Sequence, residues 1–366
     1  MARSGFLPAR TMSAYVGKMF LVRSFAVLAM LVIILMALDL LGETGKIMKV
    51  PGNGQEELLR YIGLRVPQLI ARFLPFSVLL GTLITLVTLN QNSEIIMMKA
   101  AGLSAHQVLA PLFIVAFLVA GISFVFNERV VSRATAALSQ WQDLDYAPVP
   151  KDSGVKMNVW VQDGPDLLNA GVLQILPGGV AKLQNVELIQ RASGAQDGVI
   201  TSERGEKIPG GWRLFSAKRF DVKSGLIAPI GDVVIGKNVS IEQLRLANVD
   251  PDSMGFFELR QAIGALKAVG RPSRQLEGAL WHKLSGPLSA LLMPLLGAVA
   301  GFGLARSGKL FVRIVIGMAL GFLYFVADNF ALAMGNLGAY PPWLAAWGPF
   351  FLFLLIGETV LVRTEE

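Results

Sequence analysis

Of the 366 residues 53% are hydrophobic and only 16% are charged, with a mean hydropathy of +0.55, so the composition is that of a membrane protein rather than a soluble globular one. The absence of cysteine excludes disulfides and thiolate metal sites. Two histidines, His106 and His282, lie far apart and outside any His-Glu-x-x-His pattern, which argues against a zinc hydrolase, and the net charge of +7 matters mainly through its placement.

Six apolar runs of about 20 residues are long enough to cross a bilayer as helices. They are placed near Phe20 to Leu41, Val66 to Leu89, Val108 to Phe126, Leu284 to Leu304, Val312 to Met334 and Trp343 to Val362. The first has no small-residue cleavage site after a short apolar core, so it reads as a retained span rather than a signal peptide. Residues 1–127 then form a first half of three spans, residues 128–277 an inserted domain of different texture, and residues 278–366 a second half of three spans.

Between the second and third runs lies NQNSEIIMMKAAGLS, Asn90 to Ser104. It predicts a short amphipathic helix over about residues 92–103, too short and too polar to span. Asn92 or Ser93 can cap its first turn, Glu94 suits a helix N-terminus, and Gly102 ends it. Ile95, Met98 and Leu103 are expected to lie against a membrane or a partner, the adaptable methionine suiting a docking groove. An ordinary interfacial turn between two spans is the plainer alternative.

The inserted domain predicts β-structure. VKMNVWVQD from Val155, VAKLQNVELIQ from Val180, WRLFSAKRFDV from Trp212 and VVIGKNVSIEQL from Val233 alternate apolar with polar residues, which gives each strand one buried face. Turns are expected at Asp163-Gly164-Pro165, Pro177-Gly178-Gly179, Asp197-Gly198 and Pro209-Gly210-Gly211, a spacing that suits a meander, sandwich or jelly roll. Asp250 to Gly270 then reads as a helix returning the chain to the membrane.

Arg3, Arg10, Lys18, Lys99, Arg306, Lys309, Arg313 and Arg363 fall in loops or ends on one side, which the positive-inside rule makes the cytoplasm. The β-domain is therefore expected outside. Lys46, Lys49, Arg60 and Arg65 in the first outer loop run against the rule, and Glu43, Glu56 and Glu57 dilute them only in part. Inside the spans, Asp39, Arg72, Lys283 and Asp328 must find partners, water or the interface. Asp39 and Lys283 can snorkel, whereas Arg72 and Asp328 are candidates for a cavity lining or an interhelical bridge.

Gly297 to Gly301 and Gly317 to Gly321 have the Gly-x-x-x-Gly spacing that lets helices approach closely, and Pro67, Pro75, Pro287 and Pro294 can kink their helices. GLARSGK, Gly303 to Lys309, matches a phosphate-binding loop but is rejected as a nucleotide site. Leu310 replaces the magnesium-binding Ser/Thr, and a membrane helix rather than a strand precedes it.

These features together resemble the LptF/LptG permeases of the lipopolysaccharide export machine. The resemblance is carried by LLGTLITLVTLNQNSEIIMMKAAGLSAHQV from Leu79, LWHKLSGPLSALLMPLLG from Leu280, GFLYFVADNFA from Gly321 and YPPWLAAWGPFF from Tyr340, and it covers nearly the whole chain. It implies a polytopic α-helical protein with six transmembrane helices, three plus three, and an inserted all-β, jelly-roll-like periplasmic domain. The implied role is a non-catalytic subunit in the bacterial inner membrane, with ATP hydrolysis left to a partner and no cofactor, metal or nucleic acid.

Implied partners are a homologous six-span permease, an LptB-like cytoplasmic ATPase dimer, an LptC-like membrane-anchored neighbour, an LptA-like periplasmic bridge and lipopolysaccharide. The resemblance places Ser93, Glu94, Met97, Met98 and Lys99 at the ATPase, with Glu94 meeting a basic residue there. Lipid A phosphates suit the excess outer charge, so Lys46, Lys49 and Arg133 are expected to bind the head group. One departure is MALDLL, Met36 to Leu41, where relatives commonly carry a lysine. Two rival readings are an ABC-type subunit for another lipid or lipoprotein cargo, usually with four spans, and a passive membrane-anchored assembly or binding protein.

Overall fold

The computed structural model describes residues 9–148, 155–175, 181–192, 195–222, 224–236, 239–241, 244, 250–268, 272–301 and 310–363. The chain divides into two compact units. The first holds the apolar helices and comprises Met1–Gly45, Gly54–Ala136 and Pro251–Glu366. The second comprises Lys46–Asn53 and Ala137–Asp250.

Helices α1 (Arg10–Met48), α2 (Gln55–Gln91), α3 (Glu94–Ala100) and α4 (Ala105–Phe126) are followed by a π-helical turn at Asn127–Val131 and α5 (Ser132–Asp143). After the sheet come α6 (Phe256–Ala268), α7 (Arg274–Gly301), α8 (Leu310–Asn336) and α9 (Pro342–Arg363). Five helical segments among the described residues are long and apolar enough to cross a membrane: Arg10–Met48, Gln55–Gln91, Ala105–Asp143, Ile314–Asn336 and Pro342–Arg363. The fourth expected run lies on α7, whose first half carries Arg274, Glu277, His282 and Lys283 and is more polar. The rejected phosphate-loop match, Gly303 to Lys309, lies outside the described residues.

Leucines and alanines of α2, α4, α7 and α9 build the helical core, among them Leu79, Leu83, Leu86, Leu109, Leu112, Ala290 and Leu295. Glu128 in the π-turn accepts from the Phe256 N–H and, at 3.5 Å, from that of Phe257, a carboxylate at the N-terminus of α6 where exposed amides need an acceptor. At the junction of α6 and α7, burial pushes the Glu277 carboxyl up. Hydrogen bonds from Ser273 and Lys267, with the charges of Lys267 and Arg274, outweigh that and hold it below its usual range.

The second unit is a six-stranded antiparallel sheet in chain order: β1 (Val155–Asp163), β2 (Asp166–Ile175), β3 (Ala181–Ala192), β4 (Ala195–Ile208), β5 (Gly211–Asp221) and β6 (Ile227–Ile235). The all-β expectation holds, and its strands run as a meander. Expected turns at Gly164 and Gly210 have positive φ as required, 62° and 87°. Asp197-Gly198 is instead paired strand, Gly198 opposite Asp221, and among the described residues of the run from Val233 only the stretch to Ile235 is strand. The turn expected at Pro177 to Gly179 lies outside the described residues.

In β3 and β5 strict alternation fails at Asn185 (φ 50°) and Ser216 (φ 50°). Asn185 shifts the buried phase of β3 from Ala181 and Leu183 to Val186 and Leu188; Ser216 shifts that of β5 from Trp212 and Leu214 to Ala217. The pairing of β3 stays in register through Asn185, whereas the β5–β6 register shifts around Ser216, as at a bulge. Trp212 is fully buried, and its indole N–H donates to the Val239 carbonyl at 3.0 Å. The Lys207 ammonium donates to the same oxygen at 2.9 Å and stands over the indole ring, and burial holds it below its usual range. The turn after α1 belongs to this unit, because the Asn53 amide donates to the carbonyls of Ile47 and Tyr146, both at 3.0 Å.

Trp212→Ala is expected to cost about 3–5 kcal/mol, the range for emptying a buried aromatic site. Hydrogen exchange on the full-length protein should show it as lost protection across β4, β5 and β6.

Candidate functional site

Helix α3 leaves α2 through Asn92, whose side-chain amide donates to Glu94 at 3.2 Å, and the Tyr15 hydroxyl donates to the same carboxylate oxygen at 3.4 Å. Ser93 occupies the cap position with φ 61° and makes no side-chain cap bond. The helix ends in a Schellman motif: the Gly102 N–H reaches Lys99 O at 3.0 Å and the Leu103 N–H reaches Met98 O at 3.2 Å. Gly102 has φ 86°, the left-handed conformation this motif needs.

The helix turns Ile95 and Met98 inward, 5% and 8% exposed, where they join the bundle core with Leu103 packed against it. This corrects the expectation that these residues form the outward docking face. The short period of a two-turn helix left its phase open, and the core of α2 and α4 took one isoleucine and one methionine of the Ile-Ile-Met-Met run. The outward face is Ile96 and Met97, 55% and 60% exposed, flanked by Ser93 and Lys99.

A cavity of ≈ 850 Å³ opens among α2, α7 and α8, with contributions from the end of α4 and the π-turn. Its walls combine Phe73, Phe76, Phe124, Phe322 and Phe325 with Arg65, Arg72, His282, Lys283 and Asp328. Phe76 and Phe325 meet edge to face at 5.3 Å, joining α2 to α8. Pro75 and Pro287 also line it, as do Ala71 and Lys283 four residues before them. The result is a cavity with apolar walls and several cations.

Among the intramembrane candidates, Arg72 and Asp328 line this cavity together. Asp328 is 7% exposed and accepts from His282 Nε2 at 2.9 Å. Asp39 on α1 is bound by Arg65 through two nitrogens, at 2.9 and 3.2 Å, and by the Tyr61 hydroxyl at 2.6 Å. Arg65 itself lines the cavity, so Asp39 borders it at one remove. Lys46, Lys49 and Arg133 are surface residues that do not line it; Lys46 and Lys49 belong to the second unit and Arg133 to the first.

Two wall residues went unassigned in the sequence. Arg65 reads as a loop charge only if α2 begins at Val66. The run Gly54-Gln55-Glu56-Glu57, in which the Gly54 N–H donates to Glu57 at 2.7 Å, is the helix-start signal that places Arg65 two turns inside α2. His282 shows no local signal, because its partner is 46 residues away.

The family model described as "Lipopolysaccharide export system permease LptF/LptG" matches residues 14–363. The chain is 24% identical over 370 residues to the lipopolysaccharide export system permease protein LptG of Escherichia coli (strain K12), covering 97% of this chain and 99% of the relative. It is 24% identical over 379 residues to the LptG protein of Haemophilus influenzae, with the same coverage.

The inward and outward faces of α3 predict opposite outcomes for adjacent methionines. Met98→Ala should destabilise by about 2–5 kcal/mol and lower the unfolding temperature in detergent, while Met97→Ala should stay within about 0.5 kcal/mol of the parent.

Proposed function

The chain belongs to the LptF/LptG family of lipopolysaccharide export permeases, and from that premise we propose that it is the LptG-type transmembrane subunit of a lipopolysaccharide exporter in the bacterial inner membrane. In this reading it takes lipopolysaccharide from the outer leaflet and passes it toward a periplasmic bridge, beside an LptF-like partner and an LptC-like neighbour. An LptB-like ATPase dimer supplies the energy. The curated relatives support the LptG assignment over LptF, and the Tyr340-Pro341-Pro342 start of α9 agrees with it.

The observation that carries the proposal is the cavity in the family-matched helical unit. Its aromatic and aliphatic walls suit acyl chains, and Arg65, Arg72 and Lys283 suit the phosphates of a lipid A head group. The cavity thus matches both ends of an amphiphile.

Energy from the ATPase enters at α3. Glu94 is fixed by Tyr15 and Asn92, while Ile96, Met97 and Lys99 form the surface a partner groove would receive. Met98 supports the helix from behind rather than touching the ATPase. Lys46 and Lys49, at and just beyond the end of α1, and Arg133 on α5 are exposed cations suited to head-group phosphates.

Glu94→Arg reverses the charge without disturbing Ile95 or Met98, and should cut the co-purifying ATPase by about tenfold or more, a loss of about 1.4 kcal/mol. An undiminished ATPase yield would argue for a passive scaffold. Replacing Lys46 and Lys49 together by alanine should weaken lipopolysaccharide crosslinking; unchanged crosslinking and export would remove them from the path.

A further inference from the structure

One feature of the cavity wall is left over once cations are assigned to phosphates and apolar walls to acyl chains. His282 on α7 and Asp328 on α8 meet through Nε2 and Oδ2 at 2.9 Å. A carboxylate can only accept, so Nε2 carries the hydrogen and donates it. The second carboxylate oxygen, Oδ1, is sealed from solvent and has no hydrogen-bond partner. A buried acceptor left bare is expensive, and more so inside a membrane helix bundle.

Joining α7 to α8 does not explain that cost. Two apolar side chains of similar volume generally hold a buried contact as well as or better than an ion pair does. The other end of the imidazole does explain it. His282 lines the cavity with 36% of its side chain exposed, and among the described residues Nδ1 is neither sealed nor hydrogen-bonded. Its ring sits beside Gly286, one turn on and also in the cavity wall, where a Cβ would come within 3.5 Å of Cε1. With Nε2–H committed to Asp328, the neutral ring offers Nδ1 as an acceptor.

We infer that His282 is a ligand-reading residue of the cavity, its Nδ1 accepting a hydrogen bond from a sugar hydroxyl of the lipid head group, and that Asp328 is the positioning residue that fixes the tautomer. The inference rests on the function proposed above and deepens it. Arg65, Arg72 and Lys283 can only donate, so they suit phosphate oxygens and leave the hydrogen of a sugar hydroxyl without an acceptor. His282 supplies an acceptor in the same wall, and the cavity then distinguishes a saccharide lipid from a phospholipid carrying the same charge.

The test uses the full chain purified with its partner subunits in detergent, and measures binding of lipid A and of its dephosphorylated form. His282→Gln keeps a donor for Asp328 and removes the Nδ1 acceptor, so it should weaken both lipids about tenfold with an unchanged unfolding temperature. Asp328→Asn should do the same, since its amide can donate to Nε2 and move the ring hydrogen to Nδ1, as in a triad whose aspartate becomes asparagine. Arg72→Ala should weaken only the phosphorylated lipid.

Parental affinity in His282→Gln would overturn the inference. So would a loss confined to phosphorylated lipid, which would make His282 a phosphate ligand, or a loss that tracks a falling unfolding temperature, which would make the pair a structural bridge. Failure of the unmodified complex to bind either lipid is a separate result, and would overturn the proposed function itself.

Discussion

Helices in lipid gain little by hiding apolar side chains from one another, so this bundle depends on how closely its backbones can approach. One such close approach is where α2 meets α7 and α8. Gly297 faces Thr82 so tightly that a Cβ would lie 2.7 Å from its methyl carbon, and Gly321 lies against Leu79 with no room for a side chain at all. Gly297 and Gly321, one glycine from each Gly-x-x-x-Gly spacing, thus pack against α2 within the chain. From this layer toward Leu89, α2 is largely buried, whereas its earlier turns, from Arg65 to Phe76, line the cavity. One seam, closed by glycine at one level and opened above it, accounts for both the core and the binding space.

The open half has to manage polar groups that the closed half avoids. Asp39 is satisfied by Arg65 and Tyr61, and Asp328 by His282 through one oxygen. Arg72 and Lys283 stand in the same walls. Such groups are costly inside apolar helices and persist where they face a cavity or one another. Their concentration around one space, rather than along the bundle, links the energetics of the fold to the proposed transport of a charged amphiphile.

Much of the architecture was legible from period and length. Apolar runs of spanning length marked the helices, and period-two runs marked β1, β3 and β5, with Val155 to Asp163 matching β1 end to end. What escaped was set by tertiary structure. Strand β2, DLLNAGVLQI, has a burial pattern without clean alternation, and β4 carries Gly198 and Gly205 where turns would be expected. At Asn185 and Ser216 the buried phase flips through a left-handed residue, which the apolar pattern does not mark. The site was half legible. Arg72 and Asp328 stood out as charges in apolar runs, but the partnership of Asp328 with His282 and the inward turn of Met98 follow from helix packing that no local pattern encodes.

The most direct test of the account is affinity purification of the tagged full-length protein from native membranes in mild detergent, with mass spectrometry of the co-purifying chains and of the bound lipid. The account predicts a cytoplasmic ATPase, a second six-span homologue and lipid A. Recovery of the chain alone, or with a different cargo and no ATPase, would contradict it.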